Sequence, residues 1–154
     1  MGYASYKRTQ LFEKLKLSLG IIINKSTGIA ANLSKRSLDK MTSAKAIEKS
    51  KSNGFTLDEH FELAERIVEL YRDAVLAVSH PNLKNPDDPN VISIKRFICQ
   101  TELCSGKAAD TLITIKESIA NGHRIYSIEL YEINKASDRF RGLCDAADNS
   151  GQGN

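Results

Sequence analysis

The sequence is poor in several features on which common classes of protein depend. It has no tryptophan and only 6% aromatic residues, which argues against a large stacking platform for single-stranded nucleic acid. No apolar run approaches the roughly 20 residues of a membrane-spanning helix. The first residues also lack the apolar segment of a signal peptide. These absences indicate a domain of ordinary globular composition with no membrane partner.

The cysteines Cys99, Cys104 and Cys144 are an odd number, which does not favour a framework of disulfides. Cys99 and Cys104 are five positions apart, which is not the CxxC spacing of a zinc or redox pair. We therefore expect thiols at these positions and a reducing compartment.

Motifs for metals and nucleotides are also missing. The chain contains neither HExxH nor CxxC, and the acidic pair Asp87-Asp88 lacks the spacing of a calcium loop. The glycine-rich loops GxGxxG and GxxxxGK and the nucleophile motif GxSxG are absent. We expect no metal ion and no cofactor.

Charge is distributed unevenly along the chain. Residues 1–56 contain 11 Lys or Arg and 3 Asp or Glu, whereas residues 57–154 contain 11 and 16. The net charges of these two parts are therefore +8 and −5. The basic part indicates an anionic partner such as nucleic acid or an acidic protein. A solvated, lysine-rich helix face would produce the same pattern.

Residues 1–19 are predicted to form an amphipathic helix, because Leu11, Leu15 and Leu19 recur every four positions. This segment is either a docking helix or a linker. Residues 20–135 are predicted to form one domain, and residues 136–154 a disordered tail.

The domain begins with a predicted β-hairpin, with strands at 21–24 and 29–33. A basic helix is predicted at 38–52, ending before Asn53-Gly54. A longer core helix is predicted from Thr56 to about Val78, because it starts with a capping box and keeps the 3.6-residue apolar period.

After the core helix, the three prolines mark a loop over residues 81–90. Strands are then predicted at 91–99, 111–118 and 124–133, with an irregular connection over 100–110 and an Asn121-Gly122 turn. The sequence therefore predicts an α+β fold: a hairpin, two helices and a three-stranded antiparallel meander packed on the long helix.

The residue types that bind and cleave phosphodiesters occur around the predicted sheet. His60 and His123 could supply a general base and acid, and Lys116 with Arg96 could hold a phosphate. Tyr126 lies close to them in the sequence. Three of these residues also have a plain structural interpretation. His60 could be a histidine at the edge of the core, His123 an exposed turn residue without a function, and Lys116 a solvated cation.

The chain also resembles a domain of phage and mobile-element polyvalent proteins. The resemblance rests on five short segments, at residues 40–50, 53–60, 94–97, 115–118 and 122–130. Such domains occur beside protease, methylase, helicase and MuF-type head-morphogenesis modules. They are often grouped with nucleases of the barnase/EndoU/colicin/RelE-like fold, or regarded as accessory domains. If the nuclease grouping holds, the resemblance implies that the matched residues are candidate functional residues. These are Lys40, His60, Arg96, Lys116, Glu117, His123 and Tyr126.

Two functions are therefore open. The first is a metal-independent endoribonuclease, toxin-like or effector-like, with RNA as substrate and a cognate inhibitor protein as partner. The second is a non-catalytic module that binds protein or nucleic acid through its basic helix. That helix region would use Lys35, Arg36, Lys40, Lys45 and Lys49. Either module would act in the bacterial cytoplasm, or be delivered to another cell within a larger protein.

Overall fold

Five α-helices and six β-strands make up residues 2–81 and 91–136, the part of the chain that the computed structural model describes. The elements are α1 (Tyr3–Leu15) with a 3-10 turn (Lys16–Ser18), β1 (Gly20–Ile23), β2 (Ala30–Leu33), α2 (Lys35–Met41), α3 (Ala44–Ser52), α4 (Leu57–Glu65), α5 (Ile67–Asp73), β3 (Val75–Pro81), β4 (Val91–Glu102), β5 (Ala108–Ala120) and β6 (His123–Lys135). The predicted α+β class is confirmed.

The strands form one mixed sheet in the order β1-β2-β6-β5-β4-β3. All neighbours are antiparallel except β2 and β6, which run parallel and pair through Asn32 and Ser127. Strands β4, β5 and β6 are 12 to 13 residues long and form the centre of the sheet.

One face of the sheet, called here the helix-covered face, carries the core. Phe97, Ile113 and Ile115 on this face are fully buried. The ring of Tyr71 in α5 packs edge-on against Phe97, with ring centroids 5.3 Å apart. Since side chains alternate along a strand, Arg96, Thr114 and Lys116 lie on the other face, called here the opposite face.

Helix α1 packs against α4 and contributes Leu11 and Leu15 to this core. Lys14 on α1 also forms an ion pair with Glu65 on α4. The leucine spacing that predicted an amphipathic helix therefore corresponds to a buried stripe.

The prediction of one basic helix over 38–52 is wrong, because two helices meet there. Thr42 has left the helical region, with φ −111° and ψ 14°, and its hydroxyl donates back to the carbonyl of Leu38. Ser43 then accepts the backbone N–H of Ala46 and starts α3 as its N-cap. Because Ser43 caps a new helix, α3 begins there as a separate helix.

The predicted start of the core helix is confirmed, since Thr56 and Glu59 form a reciprocal capping box. Its predicted length is wrong: the helix breaks at Arg66, α5 ends at Asp73, and β3 begins at Val75. The apolar period continued past the end of the helix because Val75 and its neighbours in β3 are themselves apolar or β-branched.

The end of α5 is set by the β1–β2 turn. The side-chain amide of Asn24, fully buried, donates to the carbonyls of Tyr71 and Ala74, both at 2.7 Å. The backbone N–H of Lys25 donates to the carbonyl of Arg72 at 2.9 Å. These distant groups satisfy carbonyls that a continuing helix would have used.

Replacing Asn24 with alanine is expected to lower the free energy of unfolding by about 1.5 kcal/mol, since two buried carbonyls lose their donor. Urea denaturation of Asn24→Ala and wild type would measure the change. Lys25→Ala is the matched control, because its exposed side chain only pairs with Asp73 at the surface. An unchanged urea midpoint for Asn24→Ala would show that the turn does not stabilise the end of α5.

The predicted strands after the proline loop are present but longer, and the irregular connection predicted over 100–110 is wrong. Strands β4 and β5 continue to a tight turn, in which the N–H of Leu103 donates to the carbonyl of Lys107 and Gly106 adopts φ +89°. At the other end of β5, Asn121 and Gly122 have φ of 52° and 77°, as a two-residue hairpin turn requires.

Most of the loop predicted over 81–90 and of the tail predicted over 136–154 lies outside the described part of the chain, whereas Pro81 is the last residue of β3 and Ala136 follows β6. Cys99 is buried, and its Sγ accepts a hydrogen bond from the hydroxyl of Thr101 at 3.7 Å. Cys104 is an exposed thiol. No helix among the described residues is long and apolar enough to cross a membrane.

Candidate nucleic-acid interface

A cleft of about 240 Å³ opens where α2 meets the β5–β6 hairpin. It is lined by Ser34, Arg36, Ser37, Lys40, Val91, Lys116, Ser127, Ile128 and Glu129. The cleft thus joins two of the predicted nucleic-acid-binding residues, Arg36 and Lys40, to the predicted phosphate-binding lysine.

Helix α2 reaches this position because it directly follows β2, which pairs with β6 through Asn32 and Ser127. Ser34 caps the helix by accepting the N–H of Ser37, whose hydroxyl accepts the N–H of Ser34. Arg36 and Lys40 are four residues apart and therefore lie on one side of α2, the side that faces the cleft.

Three cationic side chains and one carboxylate line the cleft, for a formal charge of +2. One carboxylate oxygen of Glu129 lies 2.6 Å from Lys40 Nζ and 3.7 Å from Lys116 Nζ. The two lysines come from α2 and β5, so this oxygen bridges the helix and the sheet. Within the described residues, Arg36 makes no ion pair and its exposed guanidinium stays available to a ligand.

The arrangement is suited to binding an anion. Guanidinium and ammonium groups donate charge-assisted hydrogen bonds to phosphate oxygens, and the hydroxyls of Ser34, Ser37 and Ser127 add neutral donors. The described part of the cleft lining offers no free base beside these cations, because its one carboxylate is already held by two lysines.

His60 lies away from the cleft and is buried, with 2% of its surface exposed. Its Nε2–H donates to the carbonyl of Met41, and its Nδ1 accepts from the hydroxyl of Ser50, both at 2.7 Å. Burial lowers the pKa of the imidazole, and the bond to Met41 opposes that shift only in part. The histidine therefore ties α4 to α2 and α3 with both ring nitrogens engaged.

The other predicted catalytic residues lie on two faces of the sheet. Arg96 shares the opposite face with Lys116, and its Nη1 lies 3.2 Å from Nε2 of His80. His123 is exposed at the hairpin turn, four residues from the cleft residue Ser127, or about 13 Å along the strand. Tyr126 lies on the helix-covered face, where its hydroxyl donates to Glu117.

The five predicted nucleic-acid-binding residues do not share one surface. Arg36 and Lys40 line the cleft, whereas the Nζ of Lys35 lies 6.0 Å from the ring centroid of Phe12 on α1. Lys49 forms an ion pair with Glu132 at 2.7 Å. Lys45 is exposed on α3. The five basic side chains therefore point to different parts of the surface and do not form one basic patch.

Sequence reasoning missed Glu129 and Ser127 as members of the cleft. A signal for both was present, because a two-residue turn at Asn121-Gly122 sets the register of the hairpin. That register places Ser127 opposite Lys116, and Glu129 two residues further along the same face.

Sequence reasoning also assigned no contacts to Glu117, which is buried on the helix-covered face. Its carboxylate accepts hydrogen bonds from Ser93, Arg124 and Tyr126, and Lys95 Nζ lies 3.6 Å away. The hydrogen bond from Ser93 is the main cause that lowers the pKa of Glu117, and the nearby cations add to it. Among the described residues, no group of three His, Cys, Asp or Glu side chains could hold a metal ion.

Comparison with known proteins places the chain in a family. No curated protein and no solved structure matches it. The sequence model of large polyvalent protein-associated domain 3 matches residues 6–126, which run from within α1 to the start of β6 and include the lining of the cleft except Ser127, Ile128 and Glu129. The chain therefore belongs to the family of large polyvalent protein-associated domain 3.

Proposed function

We propose that the domain is a non-catalytic accessory module that binds the phosphate backbone of nucleic acid in the cleft between α2 and the β5–β6 hairpin. The observation that carries the proposal is the convergence of Arg36, Lys40 and Lys116 on one cleft. In a phosphate site, such cations supply most of the binding free energy by releasing counterions from the nucleic acid.

The positions of the two predicted catalytic histidines favour binding over cleavage. General acid-base catalysis needs a titratable group within hydrogen-bond reach of the reacting proton. His60 is buried with both ring nitrogens engaged, and His123 lies about 13 Å from Ser127 in the cleft. The cleft therefore has cations for a phosphate but no imidazole beside them.

A metal-independent endoribonuclease is the second candidate. It is favoured by one arrangement, the common face that Lys116, Arg96 and the exposed His123 share on the sheet. A toxin-like role and a cognate inhibitor protein belong to this candidate alone. Both candidates are proposed to act within a larger phage or mobile-element protein in the bacterial cytoplasm.

We expect Lys116→Ala to weaken binding to nucleic acid about tenfold at 0.1 M salt and to reduce the salt slope of log K by about 0.7 to 0.9. The measurement is fluorescence anisotropy with a labelled 20-nucleotide RNA, and with duplex DNA of the same sequence, over a range of salt concentrations. Arg36→Ala is expected to behave similarly, since its guanidinium also lines the cleft.

Lys45→Ala is the matched control for this experiment, because it removes an exposed lysine of α3 outside the cleft. Equal losses in Lys45→Ala and Lys116→Ala would mean that the cleft is not the binding site. Cleavage of the RNA probe by wild type, abolished by His123→Ala, would support the second candidate instead. No binding of either probe by wild type would overturn the proposal.

A further inference from the structure

Among the described residues that line the cleft, Glu129 is the one acidic side chain, and the others are cationic, hydroxyl-bearing or apolar. Its carboxylate is only 22% exposed, and one of its oxygens contacts both lysines of the cleft. The directly opposite residue, Thr114, is buried with a hydroxyl that has no partner among the described residues.

The contacts of Glu129 are those that a bound phosphate would make. A phosphate oxygen that meets Lys40 and Lys116 together must lie near the position now held by the Glu129 oxygen. The ligand would therefore compete with Glu129 for two donors, and the two anions would also repel each other at short range in a partly desolvated site.

We propose that Glu129 is an internal competitor, which occupies the two lysines of the empty cleft and lowers its affinity for nucleic acid. The proposal rests on the proposed function above. The carboxylate keeps Lys40 and Lys116 close together while no ligand is bound, and a phosphate binds only by displacing it. Such a residue selects against weakly held anions, since an incoming ligand must outcompete a group that is already in place.

The test is the affinity of Glu129→Gln for the same labelled RNA and duplex DNA, measured by anisotropy over a range of salt concentrations. Glutamine keeps the shape of the side chain and removes its charge. We expect binding about tenfold tighter than wild type at 0.1 M salt, and a salt slope of log K steeper by about 1, because the released lysines pair with phosphate.

Glu132→Gln is the matched control. It removes one negative charge from the same strand and one ion pair with a helix lysine, Lys49, at a position outside the cleft. We expect its affinity to stay within about twofold of wild type, since it makes the same change in net charge without releasing a cleft lysine. Equal gains in both variants would show that only net charge matters and would overturn the proposal.

A double-mutant cycle adds a readout specific to the mechanism. In a Lys40→Met background, Glu129→Gln should tighten binding less than in wild type, because one of the two lysines it would release is missing. If Glu129→Gln does not fold, Glu129→Met provides the same neutralisation, and a thermal melt of each variant establishes that it is folded.

The outcomes separate this proposal from the one on which it rests. Binding by wild type with unchanged or weaker binding by Glu129→Gln overturns the role of Glu129 and leaves the binding function in place. Failure of both proteins to bind overturns the binding function itself. Tighter binding by Glu129→Gln alone supports both.

Discussion

Replacing His60 with alanine is expected to lower the free energy of unfolding by about 3 kcal/mol and to leave the affinity for nucleic acid unchanged. The change removes a buried ring and leaves the hydroxyl of Ser50 and the carbonyl of Met41 without their partner. It also opens a cavity where α2, α3 and α4 meet. Urea denaturation gives the stability, and anisotropy with labelled RNA gives the affinity.

The pH dependence of the same histidine provides an independent check. Because burial lowers the pKa of His60, the unfolded chain binds the proton more readily than the folded one. The stability that neutral His60 contributes is present above the unfolded pKa of 6.5 and is lost as the pH falls through the lower folded pKa. We expect wild type to lose more stability between pH 7 and pH 5 than His60→Gln.

Ser50→Ala is a suitable control for the histidine, since it removes one of the two hydrogen bonds and keeps the ring. It should lose only about 1 kcal/mol. A His60→Ala protein that is fully stable but no longer binds or cleaves RNA would contradict the structural role and return His60 to the candidate catalytic residues.

Replacing Glu117 with glutamine is expected to lower the free energy of unfolding by about 3 kcal/mol, because it breaks a buried charge network. The carboxylate, 5% exposed, joins β4, β5 and β6 through Ser93 at 2.7 Å and Arg124 at 2.8 Å. An amide in its place leaves Lys95 and Arg124 without their anion and competes poorly for the hydroxyl of Tyr126.

The contribution of Glu117 to the free energy of unfolding should also depend on pH. Its pKa is lowered from the model-peptide value of 4.5, chiefly by the hydrogen bond from Ser93. The stabilisation is therefore present above pH 4.5 and is lost as the pH falls through the lower folded pKa, a loss that Glu117→Gln should not show. The control is Glu102→Gln, an exposed carboxylate near the end of β4. Equal small effects of both substitutions would contradict a stabilising network.

Local signals predicted the elements whose ends depend on nearby residues. The capping box at Thr56 and Glu59 sets the start of α4, and the Asn121-Gly122 turn sets the β5–β6 hairpin. The strand alternation also placed Lys116 on the face away from Ile113 and Ile115, where the structure has it. These features are encoded within a few residues, because capping and turn geometry act over one or two turns of chain.

The elements that were predicted wrongly depend on contacts across the sequence. The core helix does not extend to Val78, because Asn24, about 50 residues earlier, takes the carbonyls at its end. A periodic apolar pattern does not distinguish a helix that continues from one that meets a strand. The role of His60 likewise depends on Ser50 and Met41, which lie on other helices.

The sequence by itself therefore determined the α+β class, the central hairpin with its Asn121-Gly122 turn, and the residues that carry positive charge. Only the tertiary structure decided which of those cations meet. Lys40 and Lys116 are 76 positions apart in the chain, and the parallel pairing of β2 with β6 brings α2 to the hairpin and both lysines to Glu129. The charge of a residue can be read from the sequence. A binding site requires several such residues to lie close together, and the distances between them are set by how the strands of the sheet pair.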